Sequence, residues 1–151
     1  VEFKRAQAAT FGATDTAAPV AECQGNAGRL AAGRNAAKVI VTVGEGDGAD
    51  LASYMTLLGK GGRLVFTSST NIAARDVQLD LFDLTMLQKS VVGAIFGSAN
   101  PRYDIPRLLG LYRDGQLLLD ELVTRTYTLD ELNQGYQDLR DGLIVRGVVV
   151  Y

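Results

Sequence analysis

Residues Ala37 to Asp50, AKVIVTVGEGDGAD, constrain the fold of this 151-residue chain more than any other stretch. An apolar, β-branched run, Val39 to Val43, feeds into Gly44-x-Gly46-x-Gly48 and then into a helical pattern from Ala49 to Leu58. A strand apolar on both faces belongs in a parallel sheet covered by helices on each side. With Ala49 in the last place the turn reads G-x-G-x-x-A, a pattern that offers backbone N–H groups and a helix N-terminus to a pyrophosphate. Two features oppose that use. Glu45 and Asp47 set carboxylates inside the turn, where they repel a phosphate. The acidic residue expected about 20 positions further on has no counterpart, because Asp76 lies too far along and not at a clear strand end. A phosphate loop and a plain strand-to-helix turn whose glycines serve the bend both stand as readings, and the carboxylates favour the second.

Composition narrows the classes. Apolar residues make up 47% and charged ones 21%, with net charge −2, so the chain is globular and carries no basic excess for nucleic acid. A chain of this length buries about 70% of its unfolded surface, enough for one domain or one domain with an appended piece. Histidine is absent, which removes imidazole as a general base. The single cysteine, Cys23, without histidine cannot make a zinc site of the usual ligands; it also excludes an internal disulfide and fits a reducing, cytoplasmic setting. No apolar run approaches a membrane span, and the start does not resemble a signal peptide. The chain begins at Val1 already in helical pattern, so it is expected to be a piece of something longer.

In chain order, Glu2 to Phe11 reads as a helix stopped by Gly12, and Ala13 to Ala17 as a short strand of alanine and threonine. Pro19 opens a helix through Val20, Ala21, Leu30 and Ala31, diluted by Gly25 and Gly28. After Ala49 to Leu58, Gly59 to Gly62 reads as a turn and Arg63 to Phe66 as a strand. That strand ends in the hydroxyl cluster Thr67 to Thr70, placed where ligands sit beyond the carboxyl ends of strands in open α/β sheets. Loop hydroxyls that only satisfy backbone groups are an equal alternative. LDLFDLTML spaces its apolar residues for a short helix, with Leu79, Phe82 and Met86 on one row. Ser90 to Phe96, charge-free, reads as a strand that at a sheet edge would pair with a second copy. Pro101 to Tyr112 is helical, ended by Asp114-Gly115. Val123 to Tyr127 is a strand, and Thr128 with Glu131 forms a capping box for a helix with Leu132, Tyr136 and Leu139 inward, stopped near Gly142. Arg146 to Tyr151 closes the chain as a strand; its arginine either forks onto a phosphate or is a solvated strand-end charge.

Several stretches together resemble the C-terminal part of the medium-chain, zinc-dependent alcohol dehydrogenases. They are FGAT at Phe11 to Thr14, Val43-Gly44, GGRLVF at Gly61 to Phe66, GAIFGS at Gly93 to Ser98, DIPRLL at Asp104 to Leu109, the long run Leu119 to Gly142, and RGVVV at Arg146 to Val150. Their order and spacing span essentially the whole chain. GAIFGS and the tail look closest to the actinobacterial branch that holds its nicotinamide tightly.

The resemblance implies an α/β fold: a partial Rossmann domain, strands 3 to 6 of six in a parallel sheet, over residues 1–97, then a helix-strand segment of the catalytic domain over 98–151. The fingerprint glycines, the ribose-gripping acid and all zinc ligands would lie upstream of Val1. Strands 4 to 6 would stay contiguous and Ala13 to Ala17 would be orphaned, either moving in beside Ala37 to Val43 or poorly ordered. By the same resemblance Lys4 would sit by the adenosine ribose, and Val43 with Gly44 on the adenosine side. Phe66, Thr67 and Ser68 would line the nicotinamide end, where Thr67 and Ser68 depart from the family's small or aliphatic residues. Backbone groups of Ala94 and Phe96 would bind the carboxamide, and Arg146 the pyrophosphate. The implied activity is hydride transfer between a small-molecule alcohol or aldehyde and NAD, with zinc polarising the oxygen, in a homo-oligomer joined through Ser90 to Phe96. The chain alone would be inactive. The alternative is a non-catalytic truncated product serving as a dimerisation piece. A methyltransferase would need an acid at the end of the following strand, and Phe66-Thr67 offers none.

Overall fold

The structure is a computed structural model that describes all residues other than 19–21, 24, 27, 29–31 and 76. Its chain forms two compact units, Ala17–Ala99 and the pair of segments Val1–Thr16 and Asn100–Tyr151.

The first unit holds a parallel sheet of β1 (Ala36–Val41), β2 (Leu58–Phe66) and β3 (Ser90–Gly93), in that order. Val39, Ile40 and Val41 pair with Leu64, Val65 and Phe66, and those pair onward with Val91, Val92 and Gly93. The three contiguous parallel strands are the α/β arrangement expected. Between β1 and β2 the chain makes a short 3-10 turn, Gly48–Asp50, and then α2 (Leu51–Thr56). The helix is shorter than the expected Ala49 to Leu58 because Leu58 already pairs with Ala36 in the sheet. Asp80 caps the helix before β3, α3 (Leu81–Met86), by accepting N–H bonds from Phe82 (2.9 Å) and Asp83 (3.0 Å). Phe82 and Met86 face outward, while Leu79 and Leu84 pack on the core.

That core is Val41, Leu51, Met55, Leu58 and Leu64, the last wholly buried. A buried lysine sits beside it: Lys89 Nζ donates to the Met55 carbonyl (3.0 Å) and to both oxygens of Asp83 (2.8 and 3.1 Å). A charge is tolerated there because it is paired and hydrogen-bonded.

Three expectations are corrected in this unit. Gly59 to Gly62 is not a turn between elements but an irregularity inside β2, where the register with β1 shifts between Ala36 and Lys38. Gly61 takes φ +73° there, which suits glycine, and its N–H donates to the Leu87 carbonyl (2.7 Å). Strand β1 stops at Val41 rather than Val43, and β3 at Gly93 rather than Phe96; past Val41 the ladder gives way to an isolated bridge between Glu45 and Ser69, and the positive φ of Phe96 (+48°) turns the chain out of extended form. Of the helix expected from Pro19, residues 22, 23, 25, 26 and 28 are helical and the others lie outside the described residues.

In the second unit, α1 (Glu2–Thr10) is followed by chain that enters no strand, so the expected strand Ala13 to Ala17 is absent. Its alanines and threonines bring little surface to bury, and the Ala13 N–H is spent on the Ala8 carbonyl at the end of α1 (3.0 Å). Pro101 opens α4 (Pro101–Arg113). Next, β4 (Val123–Tyr127), α5 (Leu132–Arg140) and β5 (Arg146–Val149) make a two-stranded parallel sheet with its crossover helix. The Glu131 carboxylate accepts from the Thr128 N–H (2.8 Å) and hydroxyl (3.0 Å), completing the expected capping box.

Asp138, buried on α5, ties this helix to the sheet. It accepts from the Tyr127 hydroxyl, Arg125 Nη1 and Gln134 Nε2, each at 2.7 Å. The Arg125 guanidinium also lies 5.1 Å above the Tyr127 ring. The bonds from Tyr127 and Gln134, aided by Arg125, hold the Asp138 carboxyl below the usual range against the cost of burial. Leu132, Tyr136 and Leu139 are not inward as expected. They are partly exposed and line a groove of about 220 Å³ beside Tyr127 and Ile144, because a sheet of two strands is too narrow to cover the apolar stripe of the helix.

Candidate functional site

The opening stretch places its glycines for packing. A Cβ on Gly46 would lie 2.7 Å from the Phe66 ring and 3.3 Å from Ser68 Cβ, so only glycine lets the two segments approach this closely. The Gly46 N–H donates to the Ser69 carbonyl (2.9 Å), and Glu45 bridges to Ser69 in parallel fashion. Asp47 accepts the Ala49 N–H (3.0 Å), so the turn is capped by its own carboxylate. A helix start already served this way is not arranged for phosphate. The reading in which Gly44-x-Gly46-x-Gly48 shapes the turn is therefore the one the geometry supports, with close approach rather than bending as the reason for Gly46.

Beyond the carboxyl ends of β2 and β3 lies a cavity of about 510 Å³, walled by Phe66 to Ser69 on one side and Gly93 to Phe96 on the other. Five of the expected residues meet here: Phe66, Thr67, Ser68, Ala94 and Phe96. Thr67 is anchored, since its N–H (3.1 Å) and hydroxyl (2.9 Å) both donate to the Val41 carbonyl. The Ala94 N–H donates to the Phe66 carbonyl (3.0 Å), which prolongs the ladder by one residue past β3. Phe96 is 90% exposed, and Phe96, Gly97 and Ser98 all hold positive φ (+48°, +66° and +54°). Non-glycine residues in that region store strain, which concentrates at ligand sites. The Ser68 hydroxyl is buried without a hydrogen-bond partner.

Val43 and Gly44 sit exposed just past β1 in the same unit and are not part of the cavity wall. Lys4, exposed on α1, and Arg146, exposed at the start of β5, belong to the other unit. Ser69, from the hydroxyl cluster the sequence placed beyond the strand end, also lines the cavity. Sequence reasoning assigned no role to Gly93 and Ile95, which line it too; both lie beside residues already singled out, so adjacency was the available signal. Among the described residues no group of three or more His, Cys, Asp or Glu side chains is placed to hold a metal ion, and no helix is long and apolar enough to cross a membrane.

A parallel α/β sheet with a cleft beyond its strand ends is the architecture of a Rossmann-type α/β domain. Residues 1–114 match the family described as zinc-binding dehydrogenase, and the chain belongs to it. Over all 151 residues it is 46% identical to alcohol dehydrogenase B of Mycobacterium tuberculosis (strain ATCC 25618 / H37Rv) and 43% identical to the NDMA-dependent alcohol dehydrogenase of Amycolatopsis methanolica. It spans 40% and 41% of their lengths. Its fold superposes on benzyl alcohol dehydrogenase from Acinetobacter calcoaceticus with a TM-score of 0.82 at 27% identity, covering 99% of this chain and 40% of that one. The actinobacterial resemblance noted in GAIFGS and the tail agrees with these relatives.

Proposed function

We propose that this chain supplies the nicotinamide half of the nucleotide cleft, and the C-terminal end of the catalytic domain, in an NAD-dependent alcohol dehydrogenase. The observation that carries the reading is the cavity at the ends of β2 and β3. Its volume is ample for a planar ring, Phe66 and Ile95 are among its walls, and a buried unpaired hydroxyl in it has the chemistry of a group awaiting a ligand. In the whole enzyme we assign residues 1–97 to the nucleotide-binding domain and 98–151 to the catalytic domain. When bound, NAD supplies the ring that gives or takes the hydride of a small alcohol or aldehyde.

This chain's own residues bind and orient. Phe66 and Ile95 would pack against the ring and keep water from it. Ala94, with its N–H committed to Phe66, offers its carbonyl to the carboxamide, and Phe96 adds a further backbone group. In the whole enzyme Val43 and Gly44 would border the adenosine side, Lys4 would serve its ribose, and Arg146 would hold the pyrophosphate. Zinc belongs to the same proposal for the whole enzyme. The residues here do not fit it, with no histidine and one cysteine, so its ligands are assigned elsewhere and no step in this chain runs through it. A cytoplasmic setting accords with the lone Cys23.

The test is a titration of NADH, followed by its fluorescence, into the full-length protein that carries this segment and into the 151-residue chain alone. Saturable binding is expected in the first and no micromolar binding in the second. A full-length protein that does not bind overturns the cofactor reading. Micromolar binding by the chain alone overturns the assignment of half the cleft to residues elsewhere.

A further inference from the structure

Among the described residues, the Ser68 hydroxyl is the side-chain polar atom left buried without a partner. We propose that it is a ligand-binding group, which turns into the cavity and hydrogen-bonds the carboxamide of a bound nicotinamide. The proposal rests on the cofactor reading above and adds to it a specific side-chain contact.

Burying a hydroxyl with nothing to bond is unfavourable, so a native chain that keeps one has a state in which it is satisfied. The neighbouring groups make their hydrogen bonds elsewhere, and none reaches the Ser68 hydroxyl. Thr67 gives its hydroxyl to the Val41 carbonyl, and the Ser69 carbonyl is taken by the Gly46 N–H. Gly46, which lies against Ser68 Cβ, has no side chain to offer. Those same bonds hold the backbone on both sides of Ser68, so the serine side chain is the part free to respond. Rotation about its Cα–Cβ bond between staggered positions carries the oxygen by roughly 2–2.5 Å, and Ser68 is part of the cavity wall. The oxygen thus passes from an enclosed position to one facing a ligand without any backbone movement.

The partner's chemistry follows from the wall. A hydroxyl both donates and accepts, so it suits a group presenting a carbonyl and an N–H₂ side by side. The surrounding Phe66, Ile95 and Phe96 suit a flat ring. A ring bearing an amide meets both requirements; a sugar, whose hydroxyls donate and accept, meets only the first, and a bare phosphate, which accepts, meets neither.

The experiment compares wild type with Ser68→Ala in the full-length protein that carries this segment, using two probes: NADH, and ADP-ribose, which lacks the nicotinamide. The expected result is an NADH affinity lowered about tenfold, the scale of one lost hydrogen bond, with ADP-ribose affinity unchanged. The melting temperature without ligand should be equal or higher, because the removed hydroxyl had no partner. Ser68→Gly is a second hydroxyl-free variant, for which the same split is expected if the alanine form fails to fold. An unchanged NADH affinity overturns the proposal, and so does an equal loss for both probes, which would mark a structural role. Wild type binding ADP-ribose but not NADH also overturns it. Wild type binding neither overturns the cofactor reading itself, and the proposal with it.

Discussion

Gly46 is the residue on which the cleft's geometry turns. Any side chain there meets the Phe66 ring, so Gly46→Ala should lower stability by about 1–3 kcal/mol through overpacking, read as a lower urea midpoint with the slope unchanged. An unaltered midpoint would mean that the ring moves aside at no cost. The glycines were legible in the sequence, but their purpose was not. A G-x-G-x-x-A pattern specifies spacing, whereas the aromatic ring that makes Gly46 necessary arrives from twenty residues away. The carboxylates were the better guide. Asp47 is occupied by the Ala49 N–H, which explains how a repulsive group sits in a turn of that shape. Lys89 gave no sequence signal at all, since a lysine between a helix and a strand reads as a solvated charge until Asp83 and the Met55 carbonyl are seen around it.

At the scale of elements, the junction of β4 and α5 depends on one carboxylate. Folding holds the Asp138 pKa below its ordinary value near 3.9. Its contribution to stability is therefore fully present above that value and is lost as pH falls below it. Asp138→Asn should melt at a lower temperature at neutral pH and show a flatter decline as pH falls below about 4. Thermal melts across that range check it, and parallel curves for the two proteins would count against the account. Some slope should persist, because Glu131 is also held low by the Thr128 N–H and hydroxyl. Elements with their own local signals were readable: the capping box of Thr128 and Glu131, Pro101 at a helix start, and the β-branched run of β1. Elements whose identity depends on a neighbour were not. Ala13 to Ala17 needs a ladder partner and finds none among the described residues, while Gly59 to Gly62, a turn by composition, is drawn into β2 by the strand beside it.

At the scale of the whole molecule, β3 is an edge of its sheet, and Val91 and Val92 on it are 37% and 40% exposed. An uncharged strand edge of this kind invites pairing with a second copy. We expect the full-length protein to be a dimer by light scattering and Val92→Lys to shift it to monomer. A monomeric wild type, or a variant that stays dimeric, would exclude this edge as the joint. The sheet order was legible through the family resemblance, which implied that the fourth to sixth strands stay contiguous.

The parallel pair of β4 and β5 with α5 between them is closed within one run of chain, Val123 to Val149. Its strands are joined by a crossover that holds α5, whereas α1 and α4 lie far from each other along the sequence. Closing a connection of that length forfeits less chain entropy than closing a longer one, and sequence-local contacts form fast. Val123 to Val149 is thus a stretch whose pairing asks little of the rest of the chain.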